Sequence, residues 1–433
     1  IFGALFAAQN QLNNAIKNYQ KAIKINPSYA QAYNNLGVAL QKLNKLDDAI
    51  LQYNKAINLK NDFPEAYNNL GNAYLDLNKP ENSIEYFAKA LSVKPDFADA
   101  YNNRGVALFK LRLFKEAMDS YAQVLKIEPG YAFVYGFWLH TKMMICDWRD
   151  LDNQFLLLAE KIECGKKATS PFQLIAITSS AAQQRKVAER FVQAKCPVTK
   201  ILGDISKLSK HNKIRIGYFS ADFYNHATAY LMAELLELHD KSRFELIAFS
   251  FGPESKDEMR LRIEVMFDRF VDVSNLSDKE VVQQARKLGI DIAVDLKGHT
   301  SDSRPGIFAM RAAPVQVSYL GYPGTMGAEY IDYLIADSTL IPETHQKYYV
   351  EKIAYLPNSY QVNDRKRDIA NKAYTREELG LPQKGFVFCC FNNNYKITPN
   401  TFDSWMRILK KVEGSVLWLF EGADAAACNL RKE

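Results

Sequence analysis

The sequence repeats itself at a step of 34 residues through its first third. Ala32-Tyr33-Asn34-Asn35-Leu36-Gly37 returns as Ala66-Tyr67-Asn68-Asn69-Leu70-Gly71, and again as Ala100-Tyr101-Asn102-Asn103-Arg104-Gly105. A second string keeps the step: Ala15 and Tyr19, Ala49 and Tyr53, Ser83 and Phe87, Ala117 and Tyr121. A third gives Pro27, Pro95 and Pro129, with Asn61 in the remaining slot. A step of this length holds two helices and a turn. Such a unit cannot bury its apolar face alone, so it must stack on copies of itself. The small residues Gly37, Ala49 and Ala56 are expected where two helices touch, with Tyr and Leu filling the gaps between helices. Proline is expected to close each unit, because it cannot continue a helix.

This is the tetratricopeptide pattern. Three repeats run complete to about residue 130, and Gly3, one period before Gly37, marks a partial repeat ahead of them. Arrays of this kind coil into a superhelix whose concave groove is lined by the first helix of each repeat. Asn35, Asn69 and Asn103 are expected to form a ladder of amides in that groove. An amide both donates and accepts, so it can hold an extended peptide backbone whatever its side chains. Protein or peptide acceptors are the partners this implies. The plainer alternative is a set of solvated polar positions on a helix face.

At 433 residues the chain exceeds one compact domain, and its 48% hydrophobic content supports a large core. Residues 131–210 hold few strand signals. Phe133, Tyr135, Phe137 and Trp138, followed by amphipathic helix to about Ala194, read as a capping and linking segment. Asp150-Leu151-Asp152 has the D-x-D form of some metal-nucleotide sites but sits among helical residues, where it reads as a helix start. After Lys210 the rhythm changes. Strands are expected at 214–219, 244–251, 290–296, 315–320, 333–336 and 353–356. Helices are expected at 230–239, 277–288, capped by Ser277, and 307–311. This alternation means a parallel sheet with helices on both faces, giving an α/β lobe over 211–373. A second rhythm occupies 374–433: a strand at 386–391, a helix at 399–412 and a buried strand at 415–420. The fold class is therefore α plus α/β, a repeat solenoid followed by α/β lobes, the second incomplete. With no initiator Met, the chain is expected to begin within a longer protein.

Composition narrows the partners. A formal charge of +6 is mild for this length and falls in no basic block, which argues against nucleic acid. No run of about 18 apolar residues marks a membrane span. Ile1 to Phe6 is apolar but brief and lacks a basic flank, so it reads as part of an amphipathic helix. The six cysteines show no C-x-x-C pair, which points to a reducing, cytoplasmic setting. Oligomeric state leaves no trace in the sequence.

Chemistry concentrates at strand ends, where parallel sheets bind ligands. Three segments stand out: Ser220 to His226, Asp295 to Thr300, and Leu320 to Gly327. All three are expected to line one rim. They supply the candidate substrate contacts Asp222, Thr300, Leu320, Gly321, Tyr322, Pro323, Gly324 and Thr325, and the candidate catalytic histidines His226 and His299. In the tight turn from Gly321, glycines allow close ligand approach. A fourth segment, Phe391 to Ile397, contributes Asn393, Tyr395 and Lys396. A lysine beside the helix start at Pro399 suits a diphosphate. Singly, each has an ordinary alternative: a hydrogen-bonded histidine, a plain turn, a loop lysine.

Together these strings resemble the catalytic region of the O-GlcNAc transferase/SPINDLY family. The resemblance runs in order from about residue 213 to the end: SADF…H (from Ser220), GIDIAVDLKGHT (from Gly289), RAAPVQVSYLGYPGT (from Arg311), IDYLIADSTLIP (from Ile331), FCCFNNNYKITPNTFDSWMRIL (from Phe388) and SVLWL (from Ser415). Tetratricopeptide repeats in front are typical of the family too. The resemblance implies a GT-B architecture of two Rossmann-like lobes with the active site between them. It implies inverting, metal-independent and cofactor-free transfer from a nucleotide sugar, usually UDP-GlcNAc, to Ser or Thr hydroxyls. His226 matches the family's active-site histidine and Lys396 the lysine that contacts the diphosphate. Asn393 stands where animal members carry glutamine, while Tyr395 and the turn at 321–325 border the sugar. The catalytic base stays open, with His299 as a rival to His226. Relatives that use GDP-fucose or glucosylate asparagine, and a scaffold with an inactive transferase region, are the alternatives. The family's later nucleotide-binding strands are missing, so tight donor binding by this stretch alone is not expected.

Overall fold

The structure, a computed structural model, describes residues 1–9, 11–205 and 211–433. Residues 206–210, the end of the expected linking segment, lie outside the described residues. The chain divides into two compact units, Ile1–Thr169 with Ala373–Glu433, and Ser170–Lys372.

The first unit begins with helices α1 (Phe2–Ala8), α2 (Leu12–Ile25), α3 (Ala30–Lys42), α4 (Leu46–Leu59), α5 (Pro64–Asp76), α6 (Pro80–Val93), α7 (Ala98–Lys110) and α8 (Phe114–Ile127). One contact recurs in every repeat: a glycine on the first helix seats an aromatic ring of the second. A Cβ placed on Gly3, Gly37, Gly71 or Gly105 would lie 2.6, 2.6, 2.6 or 2.5 Å from Cε1 of Tyr19, Tyr53, Phe87 or Tyr121. Gly3 and Tyr19 thus complete a repeat ahead of the three expected. Between the paired helices Asn44, Asn78 and Arg112 take φ of 57°, 55° and 62°, a left-handed conformation that asparagine tolerates well. Pro27, Pro95 and Pro129 lie in the turns between repeats, as expected. Pro64 and Pro80 instead open helices, at a position where the missing N–H costs nothing.

Helices α9 (Val134–Met144) and α10 (Leu151–Glu163) follow in the same unit. Asp150 flanks the start of α10 with φ 56°, and its carboxylate accepts from Asn153 Nδ2 and Gln154 Nε2, both at 2.6 Å. The D-x-D string is a helix start.

The second unit holds α11 (Pro171–Ile175), α12 (Ala181–Lys195), β1 (Ile214–Ser220), α13 (Ala227–Glu237), β2 (Phe244–Ser250), α14 (Glu258–Glu264), β3 (Arg269–Asp272), α15 (Asp278–Lys287), β4 (Ile292–Asp295), α16 (Pro305–Ala309), β5 (Val315–Ser318), β6 (Tyr333–Ala336) and β7 (Lys352–Tyr355). The expected linking segment is therefore divided: α9 and α10 belong with the repeats, and α12 delivers Val192 to the sheet's core. The seven strands pair in the order β3-β2-β1-β4-β5-β6-β7, all parallel. Period-2 alternation sends Ile216, Tyr218, Leu246 and Ala248 to the face covered by α13 and α14. Phe219, Ile247, Phe249 and Ala293 go to the face covered by α12, α15 and α16. Ser277 caps α15 through a reciprocal capping box with Glu280. The chain grows outward from β1 first one way and then, from β4, the other, so a crevice opens at the carboxyl ends of β1 and β4.

The last segment returns to the first unit as β8 (Val387–Cys390), α17 (Pro399–Lys411), β9 (Val416–Leu419) and α18 (Asp424–Leu430). It docks through Asn429 Nδ2 to Ile145 O at 2.9 Å, a Trp148–Phe402 ring contact at 5.4 Å, and an Arg112 guanidinium bond to Gly422 O. β8 and β9 pair parallel in a two-stranded sheet. The expectation of buried strands fails here: their residues are half-buried, Cys389 is exposed, and Phe386 and Phe391 are 58% and 56% exposed. Two strands and one intervening helix leave a face and both edges of such a sheet uncovered.

Gly71→Val should show how far the glycine–ring seat governs the solenoid. Overpacking against the fully buried Phe87 should destabilise the repeats by about 1–3 kcal/mol, read as a lower urea midpoint in circular dichroism. Shortening the ring in Gly71→Val/Phe87→Leu should restore part of the loss. An unchanged midpoint would mean the seat is not tight.

Candidate active site

The crevice at the carboxyl ends of β1 and β4 contains a buried ion pair. Asp222 follows β1 and Lys297 follows β4. Lys297 Nζ lies 2.8 Å from both carboxylate oxygens, and each side chain is only 6% exposed. Asp222 Oδ2 also accepts from Thr228 Oγ1 at 3.2 Å. Removing one member of such a pair strands a charge in low dielectric, at a cost of about 3–5 kcal/mol. Lys297 escaped the sequence reading, which took only its neighbours. The signal was available: two opposite charges at apolar strand ends. It becomes decisive only once β1 and β4 are known to be adjacent.

His226 starts α13. Its Nδ1 accepts the Thr228 N–H at 3.2 Å and lies 3.5 Å from Asp222 Oδ2. Histidine is an unusual cap, since the role falls mostly to Ser, Thr, Asp and Asn. A nitrogen that accepts a backbone N–H carries no proton, so the neutral ring holds its proton on Nε2. Burial lowers the pKa of His226, Asp222 acts to raise it and Lys297 to lower it; the net direction is down. The side chain is 38% exposed.

His299 lies at the same edge with a different environment. It is 7% exposed, its Nε2 donates to Met326 O at 2.8 Å, and Phe191 and Tyr322 meet its ring edge to face. Burial pushes its pKa down to about 4. This ring braces the turn after β5 and does not reach out of it. Asp295, wholly buried, accepts the Lys297 and Gly298 N–H groups, and burial pushes its pKa up to about 6. Thr300 Oγ1 closes the loop onto Lys297 O at 2.8 Å.

The turn from Leu320 to Gly327 is a built object. Leu320 takes φ 65°, a costly conformation for a branched side chain and one concentrated at functional turns. A Cβ on Gly321 would lie 2.0 Å from Leu296 O, and one on Gly324 2.7 Å from the Tyr322 hydroxyl. Buried Glu351, just before β7, accepts from Thr325 Oγ1 and from Met326 N, each at 2.7 Å. Tyr322 and Thr325 are buried, whereas Gly321 and Pro323 are partly exposed. The three strand-end segments therefore do meet along one rim. Glu351 had no recognisable sequence signal.

Asn393, Tyr395 and Lys396 belong to the other unit. Asn394 to Lys396 form one 3-10 turn after β8. Tyr395 packs its ring 4.8 Å from His140 of α9, and Asn394 O lies 3.8 Å from Cys146 Sγ. Asn393 and Lys396 are exposed. Two residues beyond Lys396, Thr398 caps α17, accepting from Thr401 N at 3.4 Å.

Also in that unit, the asparagines form rungs between repeats. Asn69 Nδ2 donates to Asn34 Oδ1, and Asn103 Nδ2 to Asn68 Oδ1, each at 3.0 Å. Asn35 accepts from Gln31 at 2.9 Å. Asn35, Asn69 and Asn103 are half-buried, Asn34 and Asn68 fully so. Each rung uses one amide proton of the outer asparagine, which has further hydrogen-bonding capacity for a peptide.

A tetratricopeptide solenoid joined to a doubly wound lobe, with charged and histidine side chains at its switch point, describes a repeat-bearing α/β enzyme class. The chain belongs to glycosyl transferase family 41, which it matches over residues 145–373 and 368–432. Residues 3–44 and 42–78 match one TPR repeat family, and 68–132 match another, the tetratricopeptide repeat. The chain is 33% identical over 314 residues to a probable UDP-N-acetylglucosamine–peptide N-acetylglucosaminyltransferase, SEC, of Arabidopsis thaliana, covering 68% of this chain and 32% of the relative. It is 27% identical over 415 residues to a Caenorhabditis elegans UDP-N-acetylglucosamine–peptide N-acetylglucosaminyltransferase, covering 67% and 36%. A probable enzyme of the same description from Arabidopsis, SPINDLY, is 34% identical over 215 residues, covering 47% and 22%. The chain thus spans 36% or less of the length of these curated relatives. A solved structure of a Thermobaculum terrenum O-GlcNAc transferase mutant shares the fold over 93% of this chain and 71% of its own, with a TM-score of 0.60 at 22% identity.

The two buried titrating groups give opposite pH signatures. An unfolded histidine binds a proton below about pH 6.5, but folded His299 refuses it until about 4. Stability linked to His299 is therefore lost as pH falls through that window. Asp295 holds a proton that the unfolded chain sheds, so its contribution is lost as pH rises through about 6. His299→Gln keeps a donor for Met326 O and removes the titration. Its urea midpoint should fall less than the wild type's between about pH 6.5 and 4.5. Equal slopes would show that the ring plays no part in acid sensitivity.

Proposed function

We propose that the protein is a protein O-linked N-acetylglucosaminyltransferase, transferring GlcNAc with inversion from UDP-GlcNAc to Ser or Thr hydroxyls of proteins held along the repeats. The observation that carries this reading is the His226, Asp222 and Lys297 constellation at the switch point of a family 41 lobe. In the reaction the hydroxyl oxygen bonds to the anomeric carbon as the bond from that carbon to the diphosphate breaks, and the hydroxyl proton passes to the departing diphosphate or to solvent. Lys396 offsets the charge that develops on the leaving diphosphate. His226 orients the acceptor, and the turn at 321–325, with Asp222 and Thr300, borders the sugar. No resident cofactor or metal enters this reading. The cysteines, with no C-x-x-C pair, suit a reducing, cytoplasmic setting.

The direct test incubates the full-length protein and an acceptor protein with UDP-GlcNAc, GDP-fucose and UDP-glucose separately. Peptide mass spectrometry should find GlcNAc on Ser or Thr from the first alone. Fucose from the second, or hexose on asparagine from the third, would replace the donor assignment, and no transfer from any would leave a scaffold.

Lys396→Ala should lower transfer at least about tenfold while leaving the fold unchanged, since charge-assisted bonds contribute about 1.5–3 kcal/mol. Near-normal turnover would remove Lys396 from the site.

Asn35→Ala/Asn69→Ala/Asn103→Ala should slow modification of long protein acceptors and leave hydrolysis of the nucleotide sugar nearly unaltered. Each lost amide bond to a peptide is worth about 0.5–1.5 kcal/mol. Asn69 and Asn103 also tie repeats together, so Asn34→Ala/Asn68→Ala, which breaks the same rungs from their other side, is the control. Equal effects of the two sets on acceptor kinetics would assign the outer asparagines to stability alone.

A further inference from the structure

His226 Nδ1 has two competing partners. Thr228 N–H lies 3.2 Å away and Asp222 Oδ2 lies 3.5 Å away. Were the carboxylate free, its charge would draw a proton onto Nδ1. The pair would become a histidine–carboxylate dyad, with a bare Nε2 lone pair able to act as a general base. Lys297 intervenes: its ammonium takes both carboxylate oxygens at 2.8 Å from a buried position.

We propose that Lys297 is a positioning residue for His226: by engaging Asp222 it leaves Nδ1 to accept the Thr228 N–H and keeps the ring's proton on Nε2. His226 then meets its ligand as a hydrogen-bond donor, suited to a hydroxyl or phosphate oxygen, and not as a base. The identity of that ligand rests on the transferase reading; the tautomer does not. Among the described residues, the Tyr224 ring lies tilted at 5.7 Å from the His226 ring, and Asp257, which accepts Asn225 N–H at 3.0 Å, and Asp302 act electrostatically on Tyr224. The opposed influences of Asp222 and Lys297 on His226 agree with the geometry.

The test is nitrogen-15 NMR of histidine-labelled protein, with His226 assigned by loss of its signals in His226→Gln. The wild type should show Nε2–H at neutral pH. Lys297→Met should move the proton toward Nδ1 and raise the pH midpoint of His226 by about one pH unit or more. Asp222→Asn/Lys297→Met, which removes both charges, should return to Nε2–H. If Lys297→Met fails to fold, Lys297→Gln keeps a donor without the charge and must shift His226 in the same direction. A folded Lys297 variant with unaltered tautomer and midpoint overturns the proposal. In the full-length enzyme, Lys297→Gln should also shift the acid limb of the transfer rate upward in pH, which a merely structural lysine would not do. Absence of transferase activity in the wild type would defeat the functional reading while leaving the NMR result standing.

Discussion

The ion pair between Asp222 and Lys297 is the contact on which the switch point depends. A parallel sheet opens a crevice wherever its strand order reverses, but the crevice alone is only a gap between two loops. Here the loops after β1 and β4 are tied by two opposite charges that neither loop can bury alone. The tie sets the height of Gly298 against Tyr322, and Gly321 against Leu296 O, where any side chain on either glycine would collide. The turn after β5, clamped from below by Glu351, is thereby held against the other two segments. One electrostatic contact thus orders three loops. Those loops carry most of the lobe's chemistry-bearing side chains.

The repeats reach order by different means. Four glycine–ring seats set the distance within each helix pair, and amide rungs from Asn69 to Asn34 and from Asn103 to Asn68 set the spacing between pairs. The first is steric and local; the second is polar and links neighbours. Both recur with the sequence period. The glycine and its ring stand out because each survives in every copy, including the partial first one. The rungs were legible only in part. The outer asparagine was expected to face a peptide, but the inner one, its buried acceptor, was given no role.

The sheet was legible where its strands are rich in apolar residues, from β1 and β2 through β4 to β7. β3 was not, because Arg269–Asp272 lies at the sheet's edge and has a charged residue at each end. α14 was missed for a similar reason: its arginines and glutamates mask a stripe of only Met259 and Ile263. The partition of the chain was harder still. Residues 131–210 read as one helical segment because periodicity reports helix and not the partner a helix packs on. The apolar composition of β8 and β9 suggested burial. Composition reports what a strand can bury, and two strands do not supply enough cover.

Two histidines sit at one end of the sheet, each just past an apolar strand; the family resemblance favoured His226, and strand position alone did not separate them. Environment separates them. His299 spends its only ring N–H on Met326 O and is walled by Phe191 and Tyr322, so charging it would put a buried cation among aromatic rings. His226 spends a lone pair on the Thr228 N–H and keeps its N–H in reach of solvent. The difference follows from which ring nitrogen the backbone claims. A carbonyl claims a proton and leaves a lone pair, here buried. An N–H claims a lone pair and leaves a proton, here exposed. The exposed proton makes His226 the histidine fitted to meet an oxygen-rich ligand, and the nearby ammonium of Lys297 keeps Asp222 from reversing that choice.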